Sequence, residues 1–391
     1  MTRIINKLFT IVLACLMAFA STAHASPGSK QKNLNQIMAS IGETMVELYP
    51  LIVAKRAFKR DDIKAIDNAL DQLSGLFTAA KPFIKEKSDG YQISYEFVSE
   101  YLKVVNSELA NGHIDNARSD LYALGEICTS CHTQDTTLRT LFSGATRDHF
   151  DDDYAYAEFN YMTRNYDEAV KYYEKHLASP NKKTEIEIVQ PLQRIITVYT
   201  QVNNRPADGI AKLKKYLTLK DHSIDTEIQL ENWIRGLEQL NNSGLINDKP
   251  VTFNKLKNYT SKYLGELDEL RIEIHSNAKQ EVQRVWLRGQ LYHYLNGTPD
   301  VNEIPMILYW LSVADRSIAY NYYFSMTDLY LKQCVLNYPN HQYAHRCYRE
   351  YREYVDYAYT RKGDPIPEGI KKELRELKMK LSDKTKGVGL D

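Results

Sequence analysis

The spacing of apolar residues constrains the fold more than any other feature of this 391-residue chain. In the first clear example, apolar positions alternate between steps of four and three: Leu34, Met38, Ile41, Met45, Leu48 and Ile52. Residues at this spacing share one face of an α-helix, and that face must be buried against other helices. Similar stretches follow along most of the chain, and no useful length alternates with the period of a strand. The sequence therefore predicts an all-α protein.

Four amphipathic stretches occupy residues 33–142. The second begins near Asp61, in an acidic pair that suits the positive N-terminal end of a helix. A break at residues 81–90 precedes the third stretch, which ends at Gly112, where glycine can adopt the left-handed conformation of a C-terminal cap. The fourth begins near Ile114. Four helices with short connections predict an antiparallel four-helix bundle.

The rest of the chain predicts a different helical domain, after a polar linker at residues 143–153. Residues 156–181, which include the run NYDEA, resemble one tetratricopeptide unit, and a looser copy spans residues 186–219. We therefore expect residues 154–391 to form a solenoid of stacked helix pairs. Most of the 29 tyrosines lie here, where they would fill helix interfaces or form a surface for docking a protein segment.

Residues 1–25 have the pattern of a secretory signal peptide. Arg3 and Lys7 precede an apolar run, residues 8–20, and Ala23-His24-Ala25 offers small residues at a cleavage site. The run is too short to span a bilayer. We therefore expect cleavage after Ala25 and a periplasmic protein that is not integral to the membrane. The chain has 50 basic and 50 acidic residues, and this balance argues against nucleic acid as a partner.

The most specific chemical signal is the segment Cys128-Thr129-Ser130-Cys131-His132. A redox dithiol of this spacing would follow a strand, and a zinc site would need further ligands, for which only the isolated His113 and His149 are near. On a helix, residues three apart share a face, so both thiols could bind the vinyl groups of one porphyrin while the histidine reaches the iron. Covalent haem is attached outside the cytoplasm, which agrees with the export signal. The segment predicts one covalent haem c.

Residues 108–132 resemble the last two helices of the cytochrome c′ family, the class II c-type cytochromes. The shared features are the glycine-containing turn, an arginine at the position of Arg118, and a haem motif near the end of the fourth helix. The resemblance covers residues 33–142 and is weakest over the first helix. It implies thioether bonds at both cysteines of the motif, proximal ligation by its histidine, and electron transfer. The family often has an arginine four residues after that histidine, where this chain has Thr136.

The sixth iron ligand would decide between electron transfer and gas binding. Family members that have such a ligand use a methionine of the first helix, and Met38 and Met45 both lie on its apolar face. Met38 is the first choice for this ligand and Met45 the second. Methionine at this spacing is commonly a core residue, however, and if both methionines only fill the core, the distal side of the haem is apolar or vacant. His113 and His149 are weaker candidates.

Electron transfer is the expected function, with a redox partner protein docked on the solenoid. The alternatives are a five-coordinate haem sensor for nitric oxide or carbon monoxide, and a periplasmic scaffold whose haem is mainly structural. No acid–base or nucleophilic cluster adjoins the motif, so no enzymatic activity is expected.

A second cysteine pair, Cys334 and Cys347, lies on either side of a predicted turn between two helices. Antiparallel helices can bring such residues together, and export favours oxidation, so we expect a disulfide. A zinc site that adds His341 and His345 is one alternative, and two free thiols are the other.

Overall fold

The computed structural model describes residues 27–54, 56–132, 145–181, 183–219, 222–247, 251–272, 278–297, 299–318, 326–360, 363 and 365–382. Within these residues the chain forms fifteen α-helices and no strand, which confirms the predicted all-α class. The predicted signal peptide lies outside them. None of the helices described is both long enough and apolar enough to cross a membrane.

The first four helices are α1 (Pro27–Val53), α2 (Arg60–Ile84), α3 (Asp89–Ala110) and α4 (Ile114–His132). The longest connection between them has six residues and reaches about 20 Å, whereas the helices are about 30–40 Å long. Successive helices must therefore run antiparallel. Each packs on the next, and α4 returns to α1. Gly112 has a φ of +76°, as expected for the residue that ends α3.

The core shared by α1–α4 is almost entirely aliphatic. Its buried helix residues are Met45, Leu48, Tyr49, Ile52, Ile66, Ala69, Leu70, Leu73, Val98, Leu102, Val105, Leu109, Ala117, Leu121, Leu124 and Ile127. Among the described residues of these helices, Thr44 and Ser94 are the buried polar side chains, and none is charged. Burial of apolar surface, which has no directional requirement, is therefore the main stabilising term in this part of the molecule.

Eleven further helices follow: α5 (Asp153–Met162), α6 (Tyr166–Ala178), α7 (Ile186–Thr197), α8 (Pro206–Leu217), α9 (Ile224–Asn242), α10 (Phe253–Leu264), α11 (Ala278–Leu295), α12 (Ile304–Arg316), α13 (Thr327–Asn337), α14 (Gln342–Thr360) and α15 (Glu368–Ser382). Most of them pack on the helix that follows in the chain. One π-helical turn, Val198–Val202, extends α7 before α8 begins.

The segment that connects the two parts contributes to the core of the first. Residues 146–149 are largely exposed, but Phe150 is buried beside Phe159 of α5, with ring centroids 5.1 Å apart. Phe159 also lies 6.0 Å from Tyr49 of α1, and Met162 joins the same cluster. Helix α5 therefore packs directly on the first four helices.

The core of the later helices contains charges and aromatic rings. The guanidinium of Arg288 and the carboxylate of Asp315 are both fully buried and lie 2.7 Å apart, and Asp315 also accepts a bond from the Met326 backbone N–H at 2.6 Å. Cys334 and Cys347 form a disulfide between α13 and α14, with their Cα atoms 6.4 Å apart. Their thiolates are therefore not available to bind zinc with His341 and His345.

Candidate functional site

The backbone of the cysteine motif is the last part of one continuous helix. Helix α4 runs from Ile114 through Cys128 and Cys131 to His132 without interruption. The side chains of residues 128–132, and residues 133–144 altogether, lie outside the described part of the structure. The helical backbone places positions 128 and 131 about one turn apart on the same face, as the predicted haem attachment requires.

Helix α4 approaches its neighbours closely at Gly125, three residues before the motif. A β-carbon at this position would lie 3.1 Å from the ring of Tyr49 in α1 and 3.1 Å from the sulfur of Met162 in α5. A larger residue would force one of these side chains to move. Glycine therefore lets α4 pack tightly on both helices just before the cysteines.

This contact places the two candidate methionines relative to the motif. Helices α1 and α4 are antiparallel, so counting 1.5 Å per residue from the Tyr49–Gly125 contact puts position 132 level with about residue 42 of α1. Met38 and Met45 lie on either side of that level, each about one turn away. Met45 is buried in the shared core, whereas Met38 is half-buried and outside it. Neither residue is excluded by its height along the helix.

The two candidate histidines have other partners. His113 lies at the opposite end of α4, nineteen residues from His132, which corresponds to about 28 Å along the axis. Its Nδ1 is 2.8 Å from the Glu108 carboxylate. The separation of about 28 Å from His132 excludes His113 as a second ligand of an iron held by His132. His149 is exposed, and its Nδ1 accepts a hydrogen bond from the Thr146 backbone N–H at 3.1 Å.

Arg118, the arginine that resembles the family pattern, anchors the far end of α4. Its guanidinium stacks on the Phe58 ring at 3.8 Å and donates to the Arg56 backbone carbonyl at 2.7 Å. It lies ten residues before Cys128, about 15 Å along the helix axis. In this position Arg118 fixes α4 against the connection between α1 and α2.

A buried polar cluster ties α4 to the later helices, and nothing in the sequence pattern indicated it. Glu158 of α5 is 2 % exposed, and its carboxylate accepts bonds from the hydroxyls of Tyr122 at 2.7 Å and Tyr173 at 2.5 Å. The Gln190 amide donates to the Tyr122 oxygen at 2.6 Å, and Arg194 of α7 lies 3.5 Å from the carboxylate. These contacts connect α4, α5, α6 and α7 through one acidic side chain.

Burial in this cluster keeps Tyr173 neutral. Burial, together with the adjacent Glu158 charge, raises the pKa of Tyr173 well above its ordinary value. The hydroxyl of Tyr173 therefore remains a donor at neutral pH. Tyr122 lies six residues before Cys128 on the same helix, so this contact fixes α4 relative to the later helices close to the motif.

The surroundings of the motif fit a covalently attached porphyrin. The described core residues next to it on α4, Leu124 and Ile127, are buried and apolar. In the described part of α1–α4 there is no buried charge that a porphyrin would have to displace. Elsewhere in the described chain, no group of three or more histidine, cysteine or acidic side chains is arranged to hold a metal ion.

Comparisons with known proteins add no assignment. No protein-family model matches the sequence, and neither a curated protein nor a solved structure matches it significantly.

Proposed function

We propose that this protein is an exported, periplasmic mono-haem c-type cytochrome. Cys128 and Cys131 would hold the haem by thioether bonds, and His132 would be the proximal ligand. The observation that carries the proposal is the position of this motif on one continuous helix that packs in an aliphatic four-helix core. When bound, the haem supplies an iron that takes up and releases one electron.

In this proposal the chain anchors the haem, shields it and holds its helix in place. We interpret α1–α4 as a four-helix bundle of the cytochrome c′ type. Aliphatic core residues would exclude water from one side of the porphyrin. An apolar environment favours the reduced, ferrous state, in which the iron and the porphyrin together carry no net charge. Gly125 and Tyr122 hold α4 against α1 and α5, so the proximal histidine would keep a fixed orientation.

We interpret α5–α15 as a tetratricopeptide-like solenoid that docks a redox partner protein. Two helix hairpins in sequence, α5–α6 and α7–α8, support this interpretation. Small residues at Ala157, Ala169 and Gly209 are buried at the helix crossings, as close packing of such repeats requires. We do not propose an enzymatic activity or a nucleic-acid partner.

The haem assignment is tested by replacing both cysteines. The Cys128→Ala, Cys131→Ala variant, produced by export in a host that matures c-type cytochromes, should show no haem on the denatured chain. The Cys334→Ala, Cys347→Ala variant is the matched control, because it also loses two cysteines, and it should retain haem. Haem that stays attached to the first variant would refute the assignment.

Carbon monoxide separates an electron carrier from a gas-binding protein. A six-coordinate electron carrier should give a low-spin absorption spectrum that the gas leaves unchanged in the reduced protein. Replacement of Met38 by alanine should then open the iron to carbon monoxide, and Met45→Ala is the comparison. Rapid binding of the gas by the unmodified protein would instead identify the five-coordinate sensor.

A further inference from the structure

One buried arginine lies in the turn that follows α5, in a backbone conformation that seldom suits arginine. Arg164 has a φ of +65°, whereas glycine is the usual residue in this left-handed region. Its backbone N–H donates to the Tyr161 carbonyl at 3.2 Å, and the Asn165 N–H donates to the Asn160 carbonyl at 2.8 Å. These two bonds form the Schellman motif that ends many helices, in which glycine would be the less strained choice.

Arg164 is enclosed, although turns normally lie at the surface. It is 2 % exposed, and Asn160 and Thr163 beside it are also buried. The Asn165 amide donates to the Asn160 side-chain oxygen at 2.9 Å, which holds the turn in one conformation. A guanidinium does not lose its proton in a protein, so this turn carries a buried positive charge. Strained backbone conformations of this kind cluster at functional sites.

Two contacts place this turn beside the cysteine motif. The Tyr122 hydroxyl of α4 donates to Glu158 of α5. Three residues further along α4, a β-carbon on Gly125 would lie 3.1 Å from the sulfur of Met162, four residues further along α5. The two helices therefore advance in the same direction. Arg164 follows Met162 by two residues, so its backbone is about level with the residue that precedes the first cysteine of the motif.

The charge of Arg164 differs from the charges near it in the chain. The buried Glu158 carboxylate lies 3.5 Å from the Arg194 guanidinium, so these two buried charges oppose one another. Asp167 and Glu168, in the first turn of α6, are exposed, and water and salt screen such charges. Arg164 contributes a buried positive charge beside the motif, and the field of a buried charge is screened much less.

We propose that Arg164 raises the redox potential of the haem by holding a buried positive charge beside it. The inference rests on the haem attachment in the proposed function and names a residue outside α1–α4 that regulates it. A nearby positive charge favours the ferrous state, in which the iron has accepted one electron from the redox partner, over the more positive ferric state. The strained turn would keep that charge in place, which accounts for an arginine where glycine suits the backbone better.

Removal of the charge should lower the midpoint potential. Arg164→Gln and Arg164→Asn both remove it, and asparagine also tolerates the left-handed conformation. The exported, haem-containing variants are titrated in an electrochemical cell, and the ferrous fraction is read from the absorption spectrum. At the midpoint potential of the unmodified protein, the ratio of ferrous to ferric haem should fall at least about threefold in each variant, because a buried unit charge is weakly screened.

Two further substitutions separate the charge of Arg164 from its packing. Arg164→Lys keeps the positive charge and should restore most of the ratio, whereas a fall as large as that in Arg164→Gln would refute an electrostatic role. Arg118→Gln is the matched control, because it also removes an arginine, but one that lies about 15 Å from Cys128 along the axis of α4. It should leave the ratio unchanged. An unchanged ratio in the two neutral Arg164 variants would overturn the proposal.

The same variants separate this inference from the haem assignment. The thioether bonds would depend on the two cysteines and not on Arg164, so the neutral Arg164 variants should retain haem on the denatured chain. Covalent haem together with an unchanged ratio refutes the role of Arg164 alone. Absence of haem from the unmodified exported protein refutes the proposed function, and this inference with it.

Discussion

The first four helices and the later ones bury different kinds of side chain. In the described part of α1–α4 the core is aliphatic and no charged residue is buried. In the described part of α5–α15, buried charges include Glu158, Arg194, Arg288, Asp315 and Glu350, and three tryptophans are fully enclosed. Aliphatic packing tolerates many arrangements of similar volume, whereas a buried ion pair is satisfied only in one geometry.

This difference matches the tasks proposed for the two parts. An aliphatic core can accommodate a large apolar group without leaving a polar atom unsatisfied. A core held by directional contacts keeps the relative positions of its helices, as a docking surface requires. The Tyr122–Glu158 contact is one place where the two kinds of core meet.

The largest effect is expected where the later core is most polar. Asp315→Ala should lower the free energy of unfolding by about 3–5 kcal/mol, because it leaves the Arg288 guanidinium buried without its carboxylate. Urea unfolding followed by circular dichroism measures the change. The double variant Arg288→Met, Asp315→Leu should recover part of the loss, since it removes both charges. If Asp315→Ala cost less than about 1 kcal/mol, the ion pair would not be a determinant of this core.

A smaller effect is expected at the junction of the two cores. Tyr122→Phe removes a donor to the buried Glu158 carboxylate and should cost about 1.5–3 kcal/mol. Tyr101→Phe is the matched control, because Tyr101 also donates to a carboxylate, that of Asp120, but within the first four helices and in a more exposed position. Hydrogen exchange should show faster opening of α4 in the Tyr122 variant. Equal effects of the two variants would show that the junction has no special role.

The smallest effect is expected at the surface of the first four helices, and it depends on pH. Hydrogen bonds from the Arg56 guanidinium and the Lys59 backbone N–H lower the pKa of Asp62 to about 2. Because the folded pKa lies below the ordinary value of about 4, the carboxylate stabilises the fold above pH 4 and loses this contribution as the pH falls toward 2.

Asp62→Asn should therefore lower the unfolding midpoint at pH 6, and the difference from the unmodified protein should shrink between pH 4 and pH 2. Thermal unfolding across this range is the measurement. Asp61→Asn controls for the general effect of an acid near a helix N-terminus. A difference that stayed constant down to pH 2 would mean that Asp62 acts through packing and not through its charge.

Several helices could be predicted from the sequence because their apolar residues form one clear stripe. Helix α2 starts beside the acidic pair at Asp61, helix α3 ends just before Gly112, and helix α4 starts at Ile114, as the sequence predicts. The sequence pattern does not predict helices α9, α10 and α15. In α9, Ile224 and Ile228 are exposed on the face opposite the buried Trp233, so its apolar residues do not form a single stripe.

The polar junction could not be predicted at all. Tyr122 and Gln190 are 68 residues apart, and Glu158 resembles any solvent-facing acid of an amphipathic helix. Only the packing of α5 on α4 makes it a buried acceptor. The cysteine motif, in contrast, was visible in the sequence because its chemistry depends on local spacing alone.

The contribution of Phe150, Phe159 and Met162 to the first core determines how the protein can be divided in the laboratory. A fragment that stops at residue 142 would lack these three side chains and leave Tyr49 and Gly125 uncovered. We expect such a fragment to aggregate or unfold more readily than one that continues through α5. The smallest self-sufficient unit for spectroscopy should therefore extend at least to Met162, with Glu158 replaced by glutamine to avoid an unpaired charge.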